Sequence, residues 1–247
     1  MSSEPTTFWD HLDELRSCIF RSAVAVAVVA IAAFCMKDEL FAVVLAPRSS
    51  DFCSYRLLGV DETFVIHLMN TELTEQFMTH MRVALYAGLL VASPYVLYQL
   101  FCFVSPGLYR NERQAATRIV VSAYVMFILG TLLNYFLIFP LTLRFLATYQ
   151  VSPDVANMLT LQSYIDTLIS LSFMMGLVFE LPVVCSILGR WGLLSRRIMS
   201  DYRRHAVVAI LVVAAIITPT TDAFTLFIVA LPIWLLYEVS IFLVKDK

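Results

Sequence analysis

The 247-residue chain is poor in charge. Asp, Glu, Lys and Arg make up 15% of it, against roughly 25% in an ordinary soluble domain. Apolar residues supply 60%. That balance excludes a soluble globular protein and describes a polytopic membrane protein. Catalytic and ligand-binding patterns are also missing. The five cysteines, at 18, 35, 53, 102 and 185, form no CxxC and no metal-ligand spacing. Four of them fall in or beside apolar segments, where a small buried hydrophobe is the ordinary reading. There is no HExxH, no glycine-rich phosphate loop and no nucleophile elbow. His11, His67, His80 and His205 are scattered. Neither an enzyme, a metal site nor a bound cofactor is expected. The opening Met-Ser-Ser-Glu-Pro lacks a basic n-region and a small-residue cleavage site, so the first apolar segment is expected to be retained. No internal repeat stands out, which argues against an inverted-repeat transporter.

What is present is a series of long uncharged runs. Six spans are expected, at approximately 19–36, 83–105, 119–143, 167–189, 206–221 and 223–244. They make one all-α membrane domain over 1–247. Twelve basic residues flank the spans on one side: Arg16, Arg21, Arg110, Arg113, Arg118, Arg190, Arg196, Arg197, Arg203, Arg204, Lys245 and Lys247. Five lie on the other: Lys37, Arg48, Arg56, Arg82 and Arg144. The positive-inside rule then puts both termini in the cytoplasm. The net charge of -2 hides this split. The arginines of 190–204 are accounted for by topology and anionic headgroups before any nucleic acid.

Two outer segments carry patterns of their own. The stretch from Val60 to Leu85 reads as a helical region with an apolar face. Ser152-Pro153-Asp154 reads as a cap and first helical position. The fifth span, with 16 residues, gives roughly 24 Å of helix against a hydrocarbon core of about 30 Å. Asp222 follows it in TPTTD and can cap the next helix by accepting backbone N–H bonds. Glu238 interrupts the last span after 15 uncharged residues, which suits a structural role at the membrane interface. Two short neighbouring spans imply local thinning or tilt. Trp9, Trp191 and Trp234 suit interface or packing positions.

The candidate site residues are acids. Glu180 is the sole charge in ISLSFMMGLVFELPVVCSILG, and an acid at that depth costs several kcal/mol on roughly any scale unless it is solvated, paired or protonated. Gly176 precedes it by four residues and leaves room on that face, while Pro182 predicts a kink. Asp10, Asp13 and Glu14 precede the first span, with Arg16 and Arg21 at the boundary; Asp10 and Glu14 share a helix face. Local pairing with those arginines competes with a ligand-receiving role. Glu112 follows Pro106-Gly107 in a short loop, close to the membrane surface. With Glu14 it could receive two adjacent guanidinium groups, whose fork geometry suits carboxylates.

HLDELR at 11–16, FVSPGLYRNER at 103–113, FELP at 179–182, TPTTD at 218–222 and LPIWLLYE at 231–238 stand in this order. Together they resemble TatC, the family of multispanning subunits of the twin-arginine protein translocase. The resemblance runs from about residue 8 to residue 243. It implies a glove-shaped concave bundle of six helices in the bacterial cytoplasmic (inner) membrane. It implies a receptor that binds paired-arginine signal peptides of folded cargo, with TatB-like and TatA-like single-span partners, and export driven by the protonmotive force without nucleotide. Glu14, Phe103 and Glu112 match positions that contact the signal peptide. Glu180 matches an acid on the concave side. Asp222 matches a polar residue near partner contacts; Arg16, Pro106 and Glu238 fall in the same motifs as partner or structural positions. Ser17 and Cys18 stand where a basic residue is frequent in the family, and Thr225 and Leu226 where a glutamine is frequent. Two rival readings are a proton-coupled small-solute transporter using Glu180, and an assembly scaffold without a ligand site.

Overall fold

The structure, a computed structural model, describes residues 8–57, 66–104, 113–149, 158–218 and 222–244. The chain packs as two compact units. One holds Met1–Leu40 with His80–Tyr124, the other Phe41–Thr79 with Val125–Lys247.

Two long helices dominate the first unit: α1 (Phe8–Cys35) and, from His80 onward, α4 (Glu75–Val104). They meet where side chains are smallest. A Cβ on Gly88 would lie 2.8 Å from the backbone nitrogen of Ala30, so only glycine lets the backbones come this close. Phe34 and His80 stack at 4.0 Å beside that contact. Pro94 lies inside α4 and cannot donate to the carbonyl of Leu90, four residues back. The Ser93 hydroxyl donates to that carbonyl instead, at 2.6 Å, so α4 continues with the orphaned acceptor satisfied.

The second unit is built on α7 (Leu161–Phe179), α8 (Leu181–Arg190), α10 (Arg203–Ile217) and α11 (Ala223–Leu243). Leu171, Met175 and Phe179 line one face of α7. Ile210, Ala214 and Ile217 face them from α10, and Val229, Ile233 and Leu236 from α11. Spacings of three and four place each set on a single helical stripe. The second half of α5 (Arg113–Leu133) closes on α7 through two glycines. A Cβ on Gly130 would lie 2.5 Å from the Met175 carbonyl oxygen, and one on Gly176 would lie 2.7 Å from the Phe127 ring. Gly176 therefore seats a neighbouring ring; it does not leave space beside Glu180 as expected. After α5 a π-turn, Asn134–Ile138, precedes α6 (Phe139–Thr148), which carries Pro140 in its first turn. The wider turn occurs where Pro140 cannot donate to the Phe136 carbonyl. It also turns the fully buried Asn134 toward Ser172, to which its amide donates at 2.7 Å.

A second layer gathers around the π-turn and the first turn of α6. It comprises α2 (Lys37–Val44), the 3-10 turn Ala46–Arg48, α3 (Cys53–Leu57) and a short parallel pair, β1 (Leu68–Met69) with β2 (Leu159–Thr160). The last carbonyls of α2 have no helical partner. Tyr135 donates to Val43 at 2.6 Å and Tyr164 to Val44 at 3.0 Å. The buried Tyr55 hydroxyl lies 3.1 Å from the Pro47 carbonyl and 3.2 Å from that of Pro140, sharing one proton between them. At the other end, α9 (Arg196–Asp201) is tied to α11 by Tyr237, which donates to the Met199 carbonyl at 2.7 Å.

Among the described residues five helical segments are long and apolar enough to cross a membrane: Leu12–Cys35, Glu75–Phe103, Thr117–Thr148, Leu161–Arg190 and Ala223–Leu243. The chain is thus an all-helical membrane protein. The remaining expected span, 206–221, is represented by α10, a helix of 15 residues. That is about 22 Å of rise, less than the roughly 30 Å hydrocarbon thickness. Thr218 turns extended directly before Pro219, as a residue preceding proline does. The expected helical reading of the segment before α4 is corrected as well. Residues 66–70 include β1, and the helix starts only at Glu75. The cap expected at Ser152-Pro153-Asp154 lies outside the described residues.

Candidate functional site

Glu14 and Arg16 are both exposed on α1, in the turns before the first apolar run. Among the described residues neither Glu14 nor Asp13 forms an ion pair with Arg16 or Arg21. The local pairing that could have occupied the Glu14 carboxylate is therefore absent there. Phe103 is half-buried in the last turn of α4. Glu112 and Pro106 lie outside the described residues. Glu14, Arg16 and Phe103 belong to the first unit; Glu180, Asp222 and Glu238 belong to the second.

Glu180 occupies the joint between α7 and α8. Pro182 is buried in the first turn of α8 and opens the helix above it. The Glu180 N–H tightens onto the Leu177 carbonyl at 3.1 Å, and its own carbonyl accepts from Val184 N–H at 2.9 Å, so the helix resumes at once. The helix is interrupted at Glu180, two residues before Pro182. The residue is half-buried, and its Oε1 is fully buried with no hydrogen-bond partner among the described residues. Such an oxygen is costly unless a proton, a water or an incoming donor meets it.

Asp222 behaves as expected from its turn. Its carboxylate accepts from the Thr225 N–H at 2.7 Å and caps α11. Leu226 packs against the buried core of the second unit. Glu238 pairs with Arg203 at 2.8 Å, joining α11 to the start of α10. That contact accounts structurally for a charge late in an apolar helix.

Two polar residues escaped the sequence reading. Glu75 is buried, and its carboxylate accepts from Thr71 N–H at 2.8 Å, Thr71 Oγ1 at 3.2 Å, Glu72 N–H at 3.2 Å and Gln162 N–H at 2.8 Å. It therefore satisfies donors in the turn before α4 and in the first turn of α7. The run Thr71-Glu72-Leu73-Thr74-Glu75 before an apolar helix was the available signal. Asn134 was visible as a lone amide in an apolar run, a type of residue that makes interhelical hydrogen bonds.

The family model described as "Sec-independent protein translocase protein (TatC)" matches residues 10–232. The chain is 33% identical over 238 residues to the Sec-independent protein translocase protein TatC of Desulforapulum autotrophicum, covering 96% of this chain and 84% of that one. It is 32% identical over 246 residues to the protein of the same name from Carboxydothermus hydrogenoformans, covering 99% and 95%. A crystal structure described as the twin arginine translocase receptor TatC in DDM superposes with a TM-score of 0.80 at 30% identity, over 96% of this chain and 100% of that one.

Proposed function

This chain belongs to the TatC family of Sec-independent protein translocase proteins, and we propose that it is the receptor and core subunit of a twin-arginine translocase. In this reading it binds paired-arginine signal peptides of folded proteins and organises TatB-like and TatA-like single-span subunits. Transport then follows, driven by the protonmotive force. Its membrane is the bacterial inner membrane, with both termini in the cytoplasm, as the distribution of arginine and lysine supports.

The observation that carries the proposal is the exposed Glu14 carboxylate, without an ion pair among the described residues, in a family-typical HLDELR segment. Glu14 and Glu112 receive the two guanidinium groups, and Phe103 supplies an apolar contact beside them. Glu180 acts after recognition, offering a polar point within the membrane to the signal peptide or a partner helix. Asp222 fixes the start of α11 next to a partner contact, while Arg16, Pro106 and Glu238 keep the surrounding turns in place.

Binding of a fluorescent twin-arginine signal peptide to the purified protein tests this. Replacing both signal arginines by lysine keeps the charge and removes the planar fork, so binding should weaken sharply. A double-mutant cycle between Glu14 and one signal arginine should show coupling. Equal binding of the arginine and lysine peptides would refute the receptor reading.

A further inference from the structure

A cleft of about 410 Å³ opens in the second unit between the last turns of α6 and the first turn of α11. Leu141, Phe145 and Phe224 make its apolar wall, with the two phenylalanine rings stacked at 4.2 Å. Arg144, Thr148 and Tyr149 make its polar side. Arg144 is half-buried and, among the described residues, has no ion pair and no hydrogen bond. The titratable group it acts on is Tyr55, whose hydroxyl is pushed up to about 12 by burial and stays neutral at ordinary pH. Among the described residues no acid lines the cleft and none pairs with Arg144.

The depth of the cleft is informative. Arg144 lies four residues before Thr148, the end of the span Thr117–Thr148. That span has 32 residues, about 48 Å of helix against a hydrocarbon core of about 30 Å, so its last turns, Arg144 among them, reach past the hydrocarbon into the headgroup layer. A guanidinium fork matches a phosphodiester in geometry and charge, and the apolar wall beside it matches methylene groups. A zwitterionic headgroup would bring an ammonium next to Arg144 with no carboxylate among the described lining residues to receive it.

We propose that this cleft binds one anionic glycerophospholipid, its phosphate held by Arg144 and the upper part of an acyl chain lying along Leu141, Phe145 and Phe224. The volume is within the range of small-ligand sites and takes a headgroup and part of one chain, not a whole lipid.

Native mass spectrometry of the full chain in detergent, titrated with phosphatidylglycerol, tests the site. The wild type should retain one lipid that Arg144→Gln binds about tenfold more weakly. Leu141→Trp, which keeps the charge and fills the apolar wall, should lose the same lipid. Arg56→Gln, outside the cleft, should keep it. Circular dichroism and melting establish that each variant is folded. Three results would overturn the proposal: equal phosphatidylglycerol occupancy in wild type and Arg144→Gln, equally tight phosphatidylethanolamine binding, or displacement of the lipid by inorganic phosphate at comparable concentration.

Discussion

Replacing Gly130 by alanine tests the packing that holds the Glu180 joint. The added Cβ would stand 2.5 Å from the Met175 carbonyl oxygen, 2.8 Å from Phe179 Cγ and 2.9 Å from Phe179 Cβ. Phe179 could rotate its ring, but the carbonyl belongs to the α7 backbone and cannot swing aside. Ordinary contact is near 3.5 Å, so α5 and α7 would have to part by about 1 Å. A shift of that size stretches the buried Asn134–Ser172 hydrogen bond from its present 2.7 Å and loosens Phe127 from the notch at Gly176. Overpacking of this kind costs roughly 1–3 kcal/mol, and the backbone obstacle puts this case near the upper end. For a chain of this length each kcal/mol lowers the melting temperature by about 2–4 °C, so a fall of roughly 5–10 °C is expected. Gly189→Ala is the internal comparison. Its Cβ meets a Val244 methyl at 3.0 Å, and that side chain can yield. Melting of the purified protein, followed by far-UV circular dichroism, reads both variants. If Gly130→Ala melts with the wild type, or no lower than Gly189→Ala, the interlocked glycine crossing is wrong.

Glu75→Gln keeps the size of the side chain but turns an amide toward backbone N–H groups, and should lower the melting temperature by several degrees. Thr71→Val, which removes only the hydroxyl bond, should lower it less, and limited proteolysis around residues 66–74 should follow the same order. Tyr55 predicts alkaline sensitivity. Its hydroxyl is pushed up to about 12 by burial, whereas an unfolded tyrosine ionises near 10. The unfolded chain therefore loses its proton first. The contribution is complete below about pH 10 and drains away between about 10 and 12, by up to about 2–3 kcal/mol. Tyr55→Phe should lose about 1 kcal/mol at neutral pH and flatten that alkaline decline in a pH series of melting curves. Asp222→Ala should cost about 1 kcal/mol by removing the cap of α11, while Asp222→Asn should retain most of it; hydrogen exchange at Thr225 reports the difference directly.

The helices were legible because the membrane demands long uncharged runs and punishes a misplaced charge. Pro182 next to Glu180 announced a joint, and Asp222 after TPTT announced a cap, since both effects act within four residues. Contacts between distant segments left no such local sign. Nothing periodic joins Tyr164 to Val44 or Tyr55 to Pro140. The segment before α4 misled because its apolar spacing suited a helix, while pairing with Leu159 and Thr160 drew Leu68 and Met69 into a strand. Gly176 misled for a related reason. A missing side chain shows in the sequence, but the ring from Phe127 that fills it does not. Of the candidate site, Glu180 and Asp222 were found because each is a charge in an apolar setting. Glu75 was passed over because its neighbours are polar too.

The Glu75 carboxylate also sets an order on how the protein is made. Its partners at Thr71 and Glu72 are available as soon as that turn leaves the ribosome, but Gln162 is 87 residues downstream. The last of these bonds therefore has to wait for α5 and α6 to be synthesised and for the chain to come back beside β1. The strand pair from Leu68 to Thr160 waits with it. An unfinished chain exposes a carboxylate that has met only part of its complement, and a finished one conceals it. Burial of Glu75 is thus a chemical record that the first half of α7 has arrived, readable in a stalled nascent chain by the accessibility of a cysteine placed at Thr71.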